Sequence, residues 1–340
     1  MILTRRNFVR SLTAGVACLP MVPRSLYAAE MAKARLQFGW IGNVEYAGIF
    51  LGLENGYFIQ ENVDVSYSPG GPNAPDPLVS LASNSADYGF VSFLPLLDAI
   101  AKGNDFVIVG AQFQQSPLGI LSLAKNPILK AKDIVGKKIL AQSPTEKTAI
   151  DATLALAGLP QEWTMITTGF SPEPLVAGDG DGYTAFGTNQ TITLEKMGLK
   201  PGKDFFFVSF DELGLHRYND IIICARAYLE AHRPAVVGFL RGYIMGLKAN
   251  AKDPKVAAEL VVKKYGADYG LDVAQQTREN ELQLPFMYPI GKPDHPLLTV
   301  DKDVMAGVMY DAAKASGRTN LPDVTKIADF SVAVDANKGA

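Results

Sequence analysis

The sequence predicts an α/β protein of two lobes, and three observations carry that prediction. The chain has 340 residues, too many for one ordinary core and suited to two α/β units. Short β-type runs alternate with helical stretches along most of it. An apolar run near residue 220 also reads as the chain's return to its first unit after an intervening second one.

Composition narrows the class. Hydrophobic residues make up 48% and charged residues 20% of the chain, as in ordinary globular proteins. The formal net charge is -3, with both signs interspersed. Neither a phosphate-tracking surface nor a polybasic membrane patch is present, which argues against nucleic acid as a partner.

The N-terminus departs from this pattern. Thr4-Arg5-Arg6-Asn7-Phe8-Val9-Arg10 is basic, Ser11 to Val22 is apolar, and small residues gather at Ala28-Ala29. This is the three-part layout of an export signal over residues 1–29, its apolar part too short for a membrane anchor. The paired arginines before Phe8 and Val9 resemble a twin-arginine signal, which implies a periplasmic destination. Cys18 lies inside this segment, and Gly15-Val16-Ala17 lacks the leucine usual before a lipoprotein cysteine. Cleavage near Ala28 is therefore expected over lipidation. Cys224 is then the one cysteine left, set in the apolar run Ile221 to Ala225, where it reads as a small core residue. No internal disulfide can form.

In the first lobe, Arg35 to Trp40 reads as a strand and Glu45 to Asn55 as a helix stopped by Gly56. Val63 to Tyr67 alternates at period two and ends at Pro69-Gly70-Gly71-Pro72. Strands at Asp87 to Phe90 and Phe106 to Val109 flank a helix at Leu94 to Lys102. Strands separated by helices imply parallel pairing. A second lobe begins near Leu118, with strands at Lys138 to Ala141 and Gly182 to Phe186, a helix from about Thr145 to Ala157, and further pieces to Phe210. The boundaries expected are 35–117 plus 219–334 for lobe 1, 118–218 for lobe 2, and a frayed tail at 335–340. Helices over Pro234 to Ala249, Val256 to Tyr265 and around Val304, Val308 and Ala312 complete the first lobe. Pro234 lies near the start of the first of these.

No reactive cluster stands out. His216, His232 and His295 have no metal-ligand spacing, and no nucleophile elbow, Walker loop or dinucleotide fingerprint occurs. Gly178-Asp179-Gly180-Asp181-Gly182 lacks the ligand order of a calcium loop and reads as a turn. A binding protein without enzymatic activity, cofactor or metal is expected.

The most informative stretch is Phe38-Gly-Trp-Ile-Gly-Asn-Val-Glu-Tyr-Ala-Gly-Ile-Phe-Leu-Gly-Leu-Glu-Asn-Gly-Tyr-Phe58. It resembles the opening of ABC importer solute-binding proteins of the thiamine-pyrimidine-precursor group, whose relatives bind nitrate, sulfonate and riboflavin. Val65 to Asn73, Ala86 to Gly89, Ala111 to Pro117, Leu129 to Lys138 and Arg217 to Asp220 extend the resemblance over about residues 36 to 290. It implies the type II periplasmic binding protein fold, in which two α/β lobes joined by two crossover strands close on a ligand. It also implies a permease and its ATPase as partners of a monomeric binder.

Ligands of open α/β sheets sit beyond the carboxyl ends of strands. That rule selects Trp40, Asn43 and Tyr46 after the first strand, with rings for stacking and an amide for hydrogen bonds. Core packing would explain Tyr46 equally well, whereas Trp40 and Asn43 are expected to touch ligand, with core packing and helix capping as their alternatives. Gly70 and Gly71 permit close backbone approach or simply make a turn. Ser92 and Gln115 offer polar groups near the cleft. Ser143 and Thr145 open a helix whose free N–H groups would suit a polar or anionic substituent, or merely cap it. Tyr183 resembles a cleft aromatic of the same group, and Asn189 and Tyr218 join the set.

An aromatic and amide set suits a flat, largely neutral heterocycle, with Lys147 the clearest positive charge nearby. A formyl- or hydroxymethyl-aminopyrimidine ranks first, riboflavin second, and a sulfonate or nitrate third. Readings from other classes are a periplasmic sensor subunit and a thiamine-pyrimidine synthase. The latter carries a cysteine-rich iron motif that this chain lacks.

Overall fold

A computed structural model describes residues 31–71 and 73–340. The export-signal reading of residues 1–29, Cys18 included, lies outside the described residues, as does Pro72. The strands in chain order are β1 (Ala32–Gln37), β2 (Val63–Ser68), β3 (Tyr88–Val91), β4 (Phe106–Phe113), β5 (Leu118–Leu123), β6 (Lys138–Ala141), β7 (Thr164–Thr167), β8 (Gly182–Phe186), β9 (Phe205–Ser209) and β10 (Asn219–Ala225). They build two sheets, ordered β2-β1-β3-β10-β4 and β7-β6-β8-β5-β9. The chain passes between them twice, from β4 to β5 and from β9 to β10. The fold is α/β with two lobes.

Both sheets are mixed, which corrects the expectation of parallel pairing throughout. β1 is parallel to β2 and β3, and β6 to β7 and β8. β10 runs antiparallel to β3 and β4, and β5 antiparallel to β8 and β9. The cause is topological. β4 leaves its sheet at the end facing the other lobe, the chain returns at that same end, and β10 must run back into the sheet.

The helix expected near Pro234 begins eight residues earlier, spanning Arg226–Lys252, with non-helical angles at His232 (φ -131°, ψ 27°). Proline has no N–H to give the preceding turn, so the break falls just before it. Val236, Leu240, Tyr243 and Leu247 form its buried face. It crosses the helix Ala47–Glu54 at glycines. A Cβ on Gly246 would lie 1.9 Å from the carbonyl oxygen of Gly48, so only glycine permits this backbone contact.

The chain end differs from expectation in part: residues 335–337 belong to a helix over Val332–Asn337, which buries Val332, Ala333 and Ala336. Asn337 Nδ2 donates to the Leu297 carbonyl at 2.9 Å. Cys224 is buried in β10. Among the described residues no helix is long and apolar enough to cross a membrane.

Candidate functional site

The carboxyl ends of β1, β3, β6 and β8 meet the start of β10 around a cavity of about 270 Å³. Its lining draws on both lobes: Trp40, Glu45, Asp76, Phe90 and Ser92 from one, Gln142, Glu146, Thr184, Phe186, Asn189 and Gln190 from the other, and Asn219 and Asp220 from β10.

Of the positions selected from sequence, Trp40, Gly71, Ser92, Ser143, Thr145 and Asn189 line this cavity. Trp40 is half-buried, in a loop held from below by Tyr46, whose hydroxyl accepts from the N–H groups of Gly39 and Trp40 at 3.1 Å each. Gly70 supports the same loop, its N–H donating to the Trp40 carbonyl at 2.7 Å. Ser92 precedes the helix Phe93–Ala101, and its side chain makes no capping bond.

The remaining positions lie outside the lining. Tyr46 is fully buried and stacks on Phe38 at 3.8 Å between ring centroids. Asn43 is buried and caps the turn Val44–Tyr46, its Oδ1 accepting from the Glu45 N–H. Gln115 donates to the Tyr288 carbonyl at 2.8 Å. Tyr183 donates to the Gly169 carbonyl at 2.8 Å, and the Tyr218 hydroxyl accepts from the Asp301 N–H at 3.0 Å. Lys147 is half exposed and pairs with Asp151 at 2.5 Å.

The helix Pro144–Leu156 does not present free N–H groups as expected. Ser143 Oγ accepts from the Thr145 N–H and donates to the Glu146 carboxylate. Burial raises the Glu146 pKa, and bonds from the Ser143 hydroxyl and the backbone of Glu146 and Ser143 oppose this. The protein's own carboxyl thus occupies the place an anionic substituent would take.

Sequence reasoning missed the acidic groups. Glu45 and Asp220 are 3% and 8% exposed. Burial drives both pKa values up, and they face one another. Two buried carboxyls side by side disfavour double ionisation, so the pair holds protons more tightly than exposed carboxyls do. Arg217, buried but outside the lining, faces Glu146 and Asp220. Burial lowers its pKa to about 10 while these two carboxyls oppose the shift.

A third buried carboxyl joins the lobes. Glu279 lies on the helix Val273–Gln283, whose polar residues Gln276, Glu279, Asn280 and Gln283 are all buried. Its Oε1 accepts from Asn43 at 2.9 Å and, across the cleft, from Asn189 at 2.7 Å; Oε2 accepts from Gln276 at 2.7 Å. Burial pushes its pKa up to about 8, opposed by the bonds from Asn189 and Gln276. Arg278 with Glu195 and Gln275 with Thr193 extend the same cross-lobe contact. Asn189→Ala leaves this carboxyl one donor short, at a cost of about 1–3 kcal/mol. A thermal melt of the ligand-free variant should show a drop of roughly 2–10 °C.

A family model described as NMT1/THI5 like matches residues 43–257. The chain belongs to that family. Among curated proteins it is 26% identical over 225 residues to the 4-amino-5-hydroxymethyl-2-methylpyrimidine phosphate synthase of Schizosaccharomyces pombe, covering 63% of this chain and 64% of that protein. It therefore spans somewhat less than two thirds of that relative's length. It is 22% identical over 263 residues to the formylaminopyrimidine-binding protein of Halalkalibacterium halodurans, covering 75% of this chain and 77% of that protein. In fold it matches the alkanesulfonate-binding protein of Xanthomonas axonopodis pv. citri with a TM-score of 0.62, at 17% identity, covering 88% of this chain and 99% of that one. The two lobes are those of the periplasmic binding protein fold.

Proposed function

We propose that this NMT1/THI5-like chain is the substrate-binding component of an ABC importer and captures a thiamine pyrimidine precursor, a formyl- or hydroxymethyl-aminopyrimidine. The observation that carries this reading is the cavity: about 270 Å³, with Trp40 and Phe186 from opposite lobes and the side-chain amides Gln142, Asn189, Gln190 and Asn219 in its wall. Rings in the wall and convergent amides suit a flat polar heterocycle. The volume favours one ring over the three of riboflavin. The name of the formylaminopyrimidine-binding relative points the same way.

In this reading the protein is exported as a monomer to the periplasm and presents its closed form to a permease served by an ATPase. The synthase reading, favoured by the name of the yeast relative, requires iron-binding thiolates. Cys224 does not fit that role: it is buried in β10, and burial pushes its thiol up to about 12.

The test is mass spectrometry of small molecules released from purified protein, followed by thermal-shift titration. A pyrimidine precursor at a hundred times its Kd should stabilise the fold by about 2.7 kcal/mol. A shift with an alkanesulfonate and none with pyrimidines would overturn the reading.

A further inference from the structure

Four side-chain amides stand in the cavity wall, and their bonds within the protein decide which end each one offers. Gln142 is engaged at both ends: its Nε2 donates to the Thr184 carbonyl at 3.0 Å and its Oε1 accepts from the Thr184 hydroxyl at 2.6 Å. Gln190 Oε1 accepts from the Phe186 N–H at 2.9 Å, and Asn219 Oδ1 accepts from Ser116 Oγ at 3.3 Å. Both are left with a free NH2 group. Asn189 is the reverse case. Its Nδ2 donates to Glu279 Oε1 at 2.7 Å, and among the described residues no donor reaches its Oδ1. That oxygen is accessible rather than sealed, on a residue that lines the cavity.

The orientation is imposed from outside the cavity. An amide turned end over end fills the same space, so its direction depends on its partners. Here the partners trace back to backbone N–H groups, which cannot reverse their role. The Glu45 N–H bonds to Asn43 Oδ1 at 3.2 Å, and the Val44 N–H bonds to Gln276 Oε1 at 3.1 Å. Each of these amides must then aim its NH2 at Glu279, Asn43 at Oε1 and Gln276 at Oε2. Oε1 receives Asn189 as well and so commits both of its lone pairs. A proton taken up by the carboxyl would go to Oε2, and Oε1 stays an acceptor either way. Asn189 can meet it only with its NH2.

We infer that Glu279, which lies outside the cavity lining, is a positioning residue for the site: through Asn189 it turns an amide oxygen toward the occupant. Asn189 is then the one acceptor among the four amides, facing the NH2 groups of Gln190 and Asn219. A ligand N–H or O–H that donates to Asn189 Oδ1 extends a chain through Glu279 to Asn43, from one lobe to the other. Hydrogen bonds in such a chain polarise and strengthen one another, so capture of that donor tightens the contact that joins the lobes. An occupant with only acceptors at this place would set oxygen against oxygen. The inference rests on the proposed reading of the chain as a binder of flat heterocycles.

The test is a double-variant cycle read by isothermal titration with 4-amino-5-hydroxymethyl-2-methylpyrimidine. Glu279→Met keeps the side-chain volume, removes the acceptor and should weaken binding about tenfold or more. Asn189→Ala should weaken it by a similar factor. In the Asn189→Ala background Glu279→Met should add no further loss, because Glu279 acts through that side chain. Glu279→Gln is the conservative variant. Its amide oxygen can replace Oε1 while its NH2 faces Gln276, so it should lower the melting temperature yet keep affinity within about threefold of the wild type. If Glu279→Met does not fold, Glu279→Asp takes its place in the cycle, since it keeps the charge and withdraws the acceptor from Asn189. A readout without ligand runs alongside: the Asn189 side-chain amide resonances, assigned by their loss in Asn189→Ala, should move in the acceptor-withdrawing variant and stay near their place in Glu279→Gln. Additive losses across the cycle, or wild-type affinity without the acceptor, would overturn the inference and leave the heterocycle reading standing. An alkanesulfonate that binds where the pyrimidine does not would overturn the heterocycle reading. Asn189 resonances that ignore the loss of the acceptor would overturn the positioning role whatever the ligand.

Discussion

Gly246→Ala is expected to destabilise the protein by about 3 kcal/mol or more, the range of overpacking at a site that cannot yield. The added methyl would lie 1.9 Å from the Gly48 carbonyl oxygen and 3.1 Å from the Gly52 nitrogen. Both neighbours are backbone, so no side chain can swing aside. Relief requires the helices Ala47–Glu54 and Arg226–Lys252 to separate, which would loosen the sheet they cover. Differential scanning calorimetry should show a fall of roughly 5–10 °C. Gly169→Ala is the control: it has open space around it and no left-handed backbone, and its melting temperature should match the wild type. A Gly246→Ala protein as stable as that control would show that the helix crossing is compliant.

Trp40→Ala should produce the largest loss of affinity among single side-chain truncations in the cavity. The ring lines the site while remaining half-buried, and its loop is anchored independently by the Tyr46 hydroxyl and Gly70. Losing a stacked aromatic face costs about 2–3 kcal/mol of binding, a roughly 30- to 150-fold rise in Kd. The ligand-free melting temperature should change little, because the loop keeps its backbone bonds. Calorimetric titration with an aminopyrimidine, beside a thermal melt, separates the two effects. A collapsed fold would instead assign Trp40 to the core.

Much of the fold was legible because several elements carry their own boundaries. Lys138 to Ala141 and Gly182 to Phe186 form strands over the residues their apolar runs mark. Asp301 caps and Gly317 ends the expected helical stretch around Val308. Strand direction was not legible locally, since the reversal of β10 depends on where a chain that left at residue 113 re-enters its sheet.

The site was half legible. Position after a strand pointed to Trp40 and Ser92, but the same rule selected Asn43, which the structure uses to cap a turn and hold Glu279. The acidic residues escaped because a carboxyl in sequence reads as solvent-facing. Glu45 is buried beside Asp220 and near Arg217, which lie far from it along the chain. The helix Val273–Gln283 escaped for a related reason. Its buried stripe at 276, 279, 280 and 283 has the spacing of an apolar face but is made of amides and one acid. A helical period in glutamine and asparagine was the signal available, and it marks a polar interface between packed elements.

The two flanks of the cleft are unlike in substance. On one, the helix Pro144–Leu156 shares an apolar core with Met305, Met309, Ala312 and Ala313. On the other, the lobes meet through Asn189, Glu279 and the pair Arg278–Glu195. Water can take over the bonds of the polar flank, but it has nothing to offer the apolar one. Parting the lobes on the side of Glu279 therefore costs less than parting them along the apolar seam.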